Sequence, residues 1–99
     1  MKQRRVRYTE TAREHVWREE RWWRENRDHP EVFGDEFELS LRAIAVLPGA
    51  GTLYRDAGVP GLRRIYLVKV ACHIYYTYDE HEVVVRAFWG ARCGRGPLV

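Results

Sequence analysis

Lysine is almost missing from this chain: only Lys2 and Lys69 are lysines among its seventeen basic residues, and the rest are arginine. A planar, weakly hydrated guanidinium pairs with phosphates, carboxylates and aromatic faces in ways a lysine ammonium does not. A GC-rich genome gives the same bias, so composition alone names no partner. Cysteine is as scarce. Cys72 and Cys93 stand apart, without CxxC or Cys/His ligand spacing, which argues against a disulfide framework or a zinc site. They read as reduced thiols, and no metal or cofactor is expected. No apolar run approaches the roughly 18–20 residues that span a bilayer. The opening MKQRRVRYTETAREH lacks the apolar stretch of a secretory signal. The expectation is a cytoplasmic protein with no membrane contact. The glycine-rich stretch 48–61 lacks GxxxxGK[ST] spacing, which excludes a phosphate-cradling loop of that type.

What is present suits one folded domain spanning residues 1–99. Hydrophobic residues make up 45% and aromatics 13%, enough for a single packed core. Charge is unevenly placed. Residues 1–50 hold ten bases and ten acids, whereas residues 51–99 hold seven bases and four acids. The formal excess of +3 therefore lies in the second half, which favours an acidic partner there.

Residues 4–8 alternate as a short strand ending at Thr9, which with Thr11 is a possible helix cap. A first helix is expected from Glu10 to about Arg27, free of Gly and Pro, with Glu14–Arg18 and Glu20–Arg24 at i,i+4 spacing. Its thin apolar stripe is Ala12, Val16 and Trp23, with Trp22 beside it. Pro30 restarts the chain, and a second helix over about 31–47 carries Phe33, Phe37, Leu41, Ile44 and Val46 or Leu47 at three- and four-residue steps. Residues 48–61 are expected to be loop. Strands follow at 62–70, 72–78 and 82–89, the last two joined by a polar hairpin. The fold class is α+β: an N-terminal strand, a two-helix hairpin and a three-stranded antiparallel meander, with the helices on one sheet face.

Strict alternation then sorts the strand residues. Ile65, Leu67, Ile74, Tyr76, Tyr78, Val83, Val85 and Ala87 should meet the helices. Arg64, Tyr66, His73, Tyr75, Thr77, Arg86 and Phe88 should occupy the second face. That second set reads either as a solvated face with cross-strand cation and aromatic pairs or as a surface able to bind phosphate or nucleobases. Catalytic patterns are weak. His73 is the one histidine placed on a strand among cations, no Ser or Cys pairs with it, and Cys72 points to the opposite face.

The element order, with Tyr8-Thr9 and Ala12 opening the first helix, Leu47-Pro48 closing the second, and then LRRIYL, HIYYTYD and VVVRAFWGAR, resembles the RelE/ParE superfamily of type II toxin–antitoxin toxins. That resemblance covers nearly the whole chain and is closer to ParE than to RelE. A ParE-type protein is a poison of DNA gyrase and not an enzyme. Its target-binding surface is expected to include Arg64, Tyr66, His73, Tyr75, Arg86, Trp89, Arg92 and Arg95. The alternative is a RelE-type ribosome-dependent mRNA endonuclease using Arg64, His73 and Arg92. Against it, His73 stands where an arginine is expected and residues 94–99 contain no tyrosine, which removes a transition-state cation and a phenol. A second alternative is a non-toxic binding domain of the same fold. The resemblance also implies a cognate acidic, ParD-like antitoxin, with Trp17, Trp22 and Trp23 as its anchors, because the three cannot all face one narrow stripe.

Overall fold

Thr9 is the first joint of the molecule. It leaves the strand with extended backbone, its Oγ1 accepts the Ala12 N–H at 3.1 Å to cap the first helix, and its own N–H donates to the Val85 carbonyl at 3.0 Å. A computed structural model describes residues 3–55, 57–90 and 96–97. In chain order these form β1 (Arg5–Tyr8), α1 (Glu10–Asn26), α2 (Glu31–Val46), a 3-10 turn (Pro48–Ala50), β2 (Thr52–Leu53), β3 (Arg63–Leu67), β4 (Cys72–Tyr78) and β5 (Glu82–Gly90). Both helices fall within a residue of their expected limits.

The two helices cover one face of the sheet, α1 lying along β5 and α2 reaching over β3, β5 and β1. The α2 stripe behaves as its periodicity dictates: Phe33 and Ile44 are buried, while Phe37 and Leu41 pack at the rim. Phe33 and Phe37 meet Phe88 edge-on at 5.5 and 5.2 Å. Ile74, Tyr76, Val83 and Val85 complete the core, each large apolar side chain contributing about 1.5–3 kcal/mol on burial. Leu47, at the end of the stripe, is exposed.

The sheet has five strands in the order β1-β5-β4-β3-β2 and is mixed. The meander β3-β4-β5 is antiparallel, as its short connections require, but β1 runs parallel to β5 in the register Arg5↔Glu82 to Tyr8↔Val85. No hairpin ties β1 to its neighbour; both helices and three strands intervene, long enough for a parallel return. The stretch expected to be wholly loop contributes the 3-10 turn and the two-residue β2, paired with Arg63 and Arg64. At the β4–β5 turn, Asp79 Oδ1 accepts the N–H groups of His81 and Glu82 at 2.8 and 2.9 Å, which holds its carboxyl below the usual range.

One irregularity corrects the strict alternation. Tyr75 pairs with Ala87 and Tyr76 with Val85, so β5 places one extra residue, Arg86, opposite that step. This bulge reverses the phase of the end of β5. Phe88 therefore enters the core beneath the helices, and Ala87 joins the second face, the reverse of the positions strict alternation assigns them.

Beyond Val85, β1 gives out and α1 takes over the edge of β5. The Thr9 hydroxyl donates to the Arg86 carbonyl at 3.3 Å, and His15 Nδ1 accepts the Phe88 N–H at 3.2 Å. His15 and Glu19 are thus buried on a helix stripe whose sequence suggested only apolar members.

A buried tyrosine fastens the glycine turn to the sheet. The Tyr76 hydroxyl donates to the Pro48 carbonyl at 2.6 Å and accepts the Gly51 N–H at 3.0 Å. Gly51 has no room for a side chain: a Cβ there would collide with that hydroxyl and stand 2.9 Å from the Arg64 carbonyl oxygen. Tyr76→Phe is expected to cost about 1–3 kcal/mol by stranding two buried backbone groups. Gly51→Ala should destabilise by a similar amount, and by less when Tyr76 is already Phe. Urea unfolding of the two single variants and the double variant measures this, and additive losses would contradict it.

Candidate target-binding face

The sheet face away from the helices is divided in two by the segment 54–62. Tyr54 N–H donates to the Leu62 carbonyl at 2.8 Å, closing the segment over the sheet. Leu62, Tyr75 and Ala87 form a second small core beneath it, with Tyr54, Ala57, Val59 and Trp89 around its margin. Tyr75 is therefore only 3% exposed, which corrects its expected place on an open surface. Alternation gave its face correctly; what covers it comes from a distant part of the chain.

Beside that lid lies the accessible part of the face. Arg64 and Tyr66 on β3 pair in register with Tyr75 and His73 on β4, and His73 pairs in turn with Trp89 on β5. The Tyr66 and His73 rings stand 4.8 Å apart, and His73 is 5.8 Å from Tyr75. Arg64 spreads over the Tyr54 ring at 4.8 Å while its Nη1 reaches the Tyr75 hydroxyl at 3.4 Å. Tyr66 is 47% exposed; Arg64, His73 and Trp89 are half-buried. Arg86 stands apart, its Nε donating to Thr77 Oγ1 at 2.9 Å. Arg92 and Arg95 lie outside the described residues. The structure thus gathers Arg64, Tyr66, His73 and Tyr75 into one cluster, with Trp89 next in register.

Tyr54 and Leu62 belong to this region and were not anticipated: Tyr54 lies in the stretch expected to be loop, and Leu62, the first residue of the expected strand 62–70, lies just before β3 and was assigned to neither face. The tail contributes too: Gly96 lies against the Tyr54 hydroxyl, where a Cβ would collide, and Pro97 is buried.

Burial, and secondarily the Arg64 guanidinium, push the His73 pKa below its usual value. The ring is therefore neutral near pH 7, able to accept a proton or stack against a planar group. Among the described residues, no three His, Cys, Asp or Glu side chains are grouped to hold a metal ion. No helix among them is long and apolar enough to cross a membrane.

A different surface carries the tryptophans of α1. Trp17 is 59% exposed, with Arg21 over its ring at 5.4 Å. It lines a cleft of about 370 Å³ with Tyr8, Arg13, Val16, Glu20 and Phe37, residues of β1, α1 and α2. Trp23 packs at the margin of the main core, and Trp22 meets it edge-on at 6.3 Å, with Arg27 over both rings. A larger open groove of about 550 Å³, lined by Gln3, Arg4, Arg5, His81 and Glu82, lies at the opposite end of β5 from His73.

No protein-family model matches this sequence, and no curated protein matches it either. Solved structures do match. A chain of the chromosomal ParDE TA system from P. aeruginosa superposes with a TM-score of 0.67 at 13% identity, over 89% of this chain and 96% of that one. A chain of the E. coli DinJ-YafQ toxin–antitoxin complex superposes with a TM-score of 0.62 at 10% identity, over 96% of this chain and all of that one. The architecture is the α+β fold of RelE/ParE-like proteins: N-terminal strand, two helices, then a sheet of antiparallel strands.

Removing the Arg64 charge tests the electrostatics of the cluster. In Arg64→Gln the His73 midpoint should rise, while staying below the ordinary value of about 6.5 because the burial remains. An NMR titration of the His73 ring protons reads this directly, and an unmoved midpoint would show that Arg64 does not act on the ring.

Proposed function

We propose that this chain is the toxin of a type II toxin–antitoxin pair and that it acts by binding, as a ParE-type poison of DNA gyrase. The observation that carries the reading is the state of the accessible face. Its cation and rings are engaged with one another, and among the described residues no hydrogen bond ties His73 to a carboxylate or hydroxyl. Such a face offers planar and cationic contact area to a target. Among the described residues it holds no hydrogen-bonded proton donor and acceptor pair of the kind general acid–base cleavage uses. The fold shared with chains of the ParDE and DinJ-YafQ structures supports the toxin assignment.

A second reading, a ribosome-dependent mRNA endonuclease, draws on one observation: His73 is held as a neutral base within a cluster that contains Arg64. Expression of the chain alone separates the two. Gyrase poisoning gives altered plasmid supercoiling, trapped cleavage complexes and a DNA-damage response with intact messages. Nuclease activity gives truncated messages with normal supercoiling. Growth without either change would leave a non-toxic binding domain.

The partner that silences the toxin is read as an acidic antitoxin seated on the cleft between α1 and α2. Trp17 supplies exposed apolar area, and Arg13 and Arg21 supply positive charge beside it. Trp22 and Trp23 sit farther along the helix as supports. Trp17→Ala should weaken antitoxin binding about 10- to 100-fold while leaving the melting temperature unchanged within a few degrees. Calorimetry on the purified pair measures both, and full affinity in the variant would remove this surface from the interface.

A further inference from the structure

We propose that His15 is an acid-sensitive clamp that holds the outer end of β5 against α1. The clamp is needed because β1 is short. Its pairing with β5 ends at Tyr8↔Val85, so on that side the rest of β5 finds its hydrogen-bond partners on α1 and its cap. Thr9 Oγ1 donates to the Arg86 carbonyl, and His15 Nδ1 accepts the Phe88 N–H. A helix side chain is acting as the next strand.

An imidazole that accepts at Nδ1 is neutral and carries its proton on Nε2. A second proton at Nδ1 would set two N–H donors head to head across 3.2 Å and leave the Phe88 amide without an acceptor. The surroundings oppose that proton. His15 is 8% exposed, and burial, then the Arg18 guanidinium, push its pKa down. Glu19, one turn further along α1, directs Oε2 toward Gly90, 3.9 Å from where a Cβ would stand there. From β5 the ring meets the uncharged Trp89 at 4.9 Å, with Arg18 above that indole, while the Arg86 guanidinium is turned to Thr77. The α2 residues packed on Phe88 are the uncharged Phe33 and Phe37.

The sign follows. An unfolded histidine titrates near 6.5, and the folded value lies below it, so the stabilisation is complete above about pH 6.5 and is lost as pH falls from there through the folded midpoint. Loss of the clamp releases the Phe88 amide from α1, while the Phe88 ring stays packed on Phe33 and Phe37. On the toxin reading this would disorder the margin of the target-binding face, but the clamp itself is independent of the target.

NMR on the purified full chain between pH 5 and 8 tests it, following the His15 ring protons and the exchange protection of the Phe88 amide against that of Ile74. The expected result is a His15 midpoint below about 6.5 and a Phe88 protection factor that falls at least tenfold as His15 titrates, with Ile74 unchanged. In His15→Asn, whose Oδ1 takes the place of Nδ1 without titrating, Phe88 protection should persist and become flat with pH. A His15 midpoint at or above 6.5, Phe88 protection indifferent to His15 titration, or the same pH dependence in the Asn variant would each overturn the clamp. Should that variant fail to fold, the wild-type titration decides alone. Absence of toxicity would count against the toxin reading and leave these measurements untouched.

Discussion

The pairing of β4 with β5, and the single extra residue inserted at Arg86, fixes what each face of this molecule is. Before the bulge, odd-numbered residues of β5 look toward the helices, as Val83 and Val85 do; after it the even-numbered Phe88 does. That shift sends an aromatic ring to meet Phe33 and Phe37, and sends Ala87 to lie beside Tyr75 under the 54–62 segment. A small residue is what the second face accommodates there, and a large one is what the core requires. Both demands are met by one local change of phase.

Arginine plays an unusual part in holding the periphery together. Arg4 lies over Tyr78, Arg18 over Trp89, Arg21 over Trp17, Arg27 over Trp22 and Trp23, and Arg64 over Tyr54. Each contact is modest, about 0.5–1 kcal/mol at an exposed site. Together they cover rings that a chain of this size has no room to bury fully. The scarcity of lysine acquires a structural meaning here, because a guanidinium plane stacks on an indole and an ammonium does not.

Much of this was legible in the sequence because it rests on local periodicity. Phe33, Phe37, Leu41 and Ile44 mark α2 unambiguously, and the caps and prolines set the helix limits. Three consecutive valines at 83–85, by contrast, carry no alternation from which a bulge could be read. The burial of Tyr75 depends on Leu62, Ala57 and Val59 folding back across the sheet, a tertiary event that β4 does not encode. Nothing in the local pattern marks His15 or Glu19 for burial, and the Phe88 amide that His15 accepts lies more than seventy positions away. Of the tryptophans, the expectation that one must face outward holds for Trp17, with Trp22 and Trp23 partly sheltered.

The lid formed by residues 54–62 has a consequence for how such a scaffold diverges. It rests on the sheet through a handful of side chains and is joined to β3 by a left-handed Gly61, so its length and composition can change without disturbing the helix-facing core. What the sheet can touch is set by how much of it the lid leaves uncovered. A scaffold built this way can change what its sheet presents by remodelling one covering segment, while the strands beneath keep the phase that the bulge sets. At 13% and 10% identity to the structures it superposes on, this chain retains their framework.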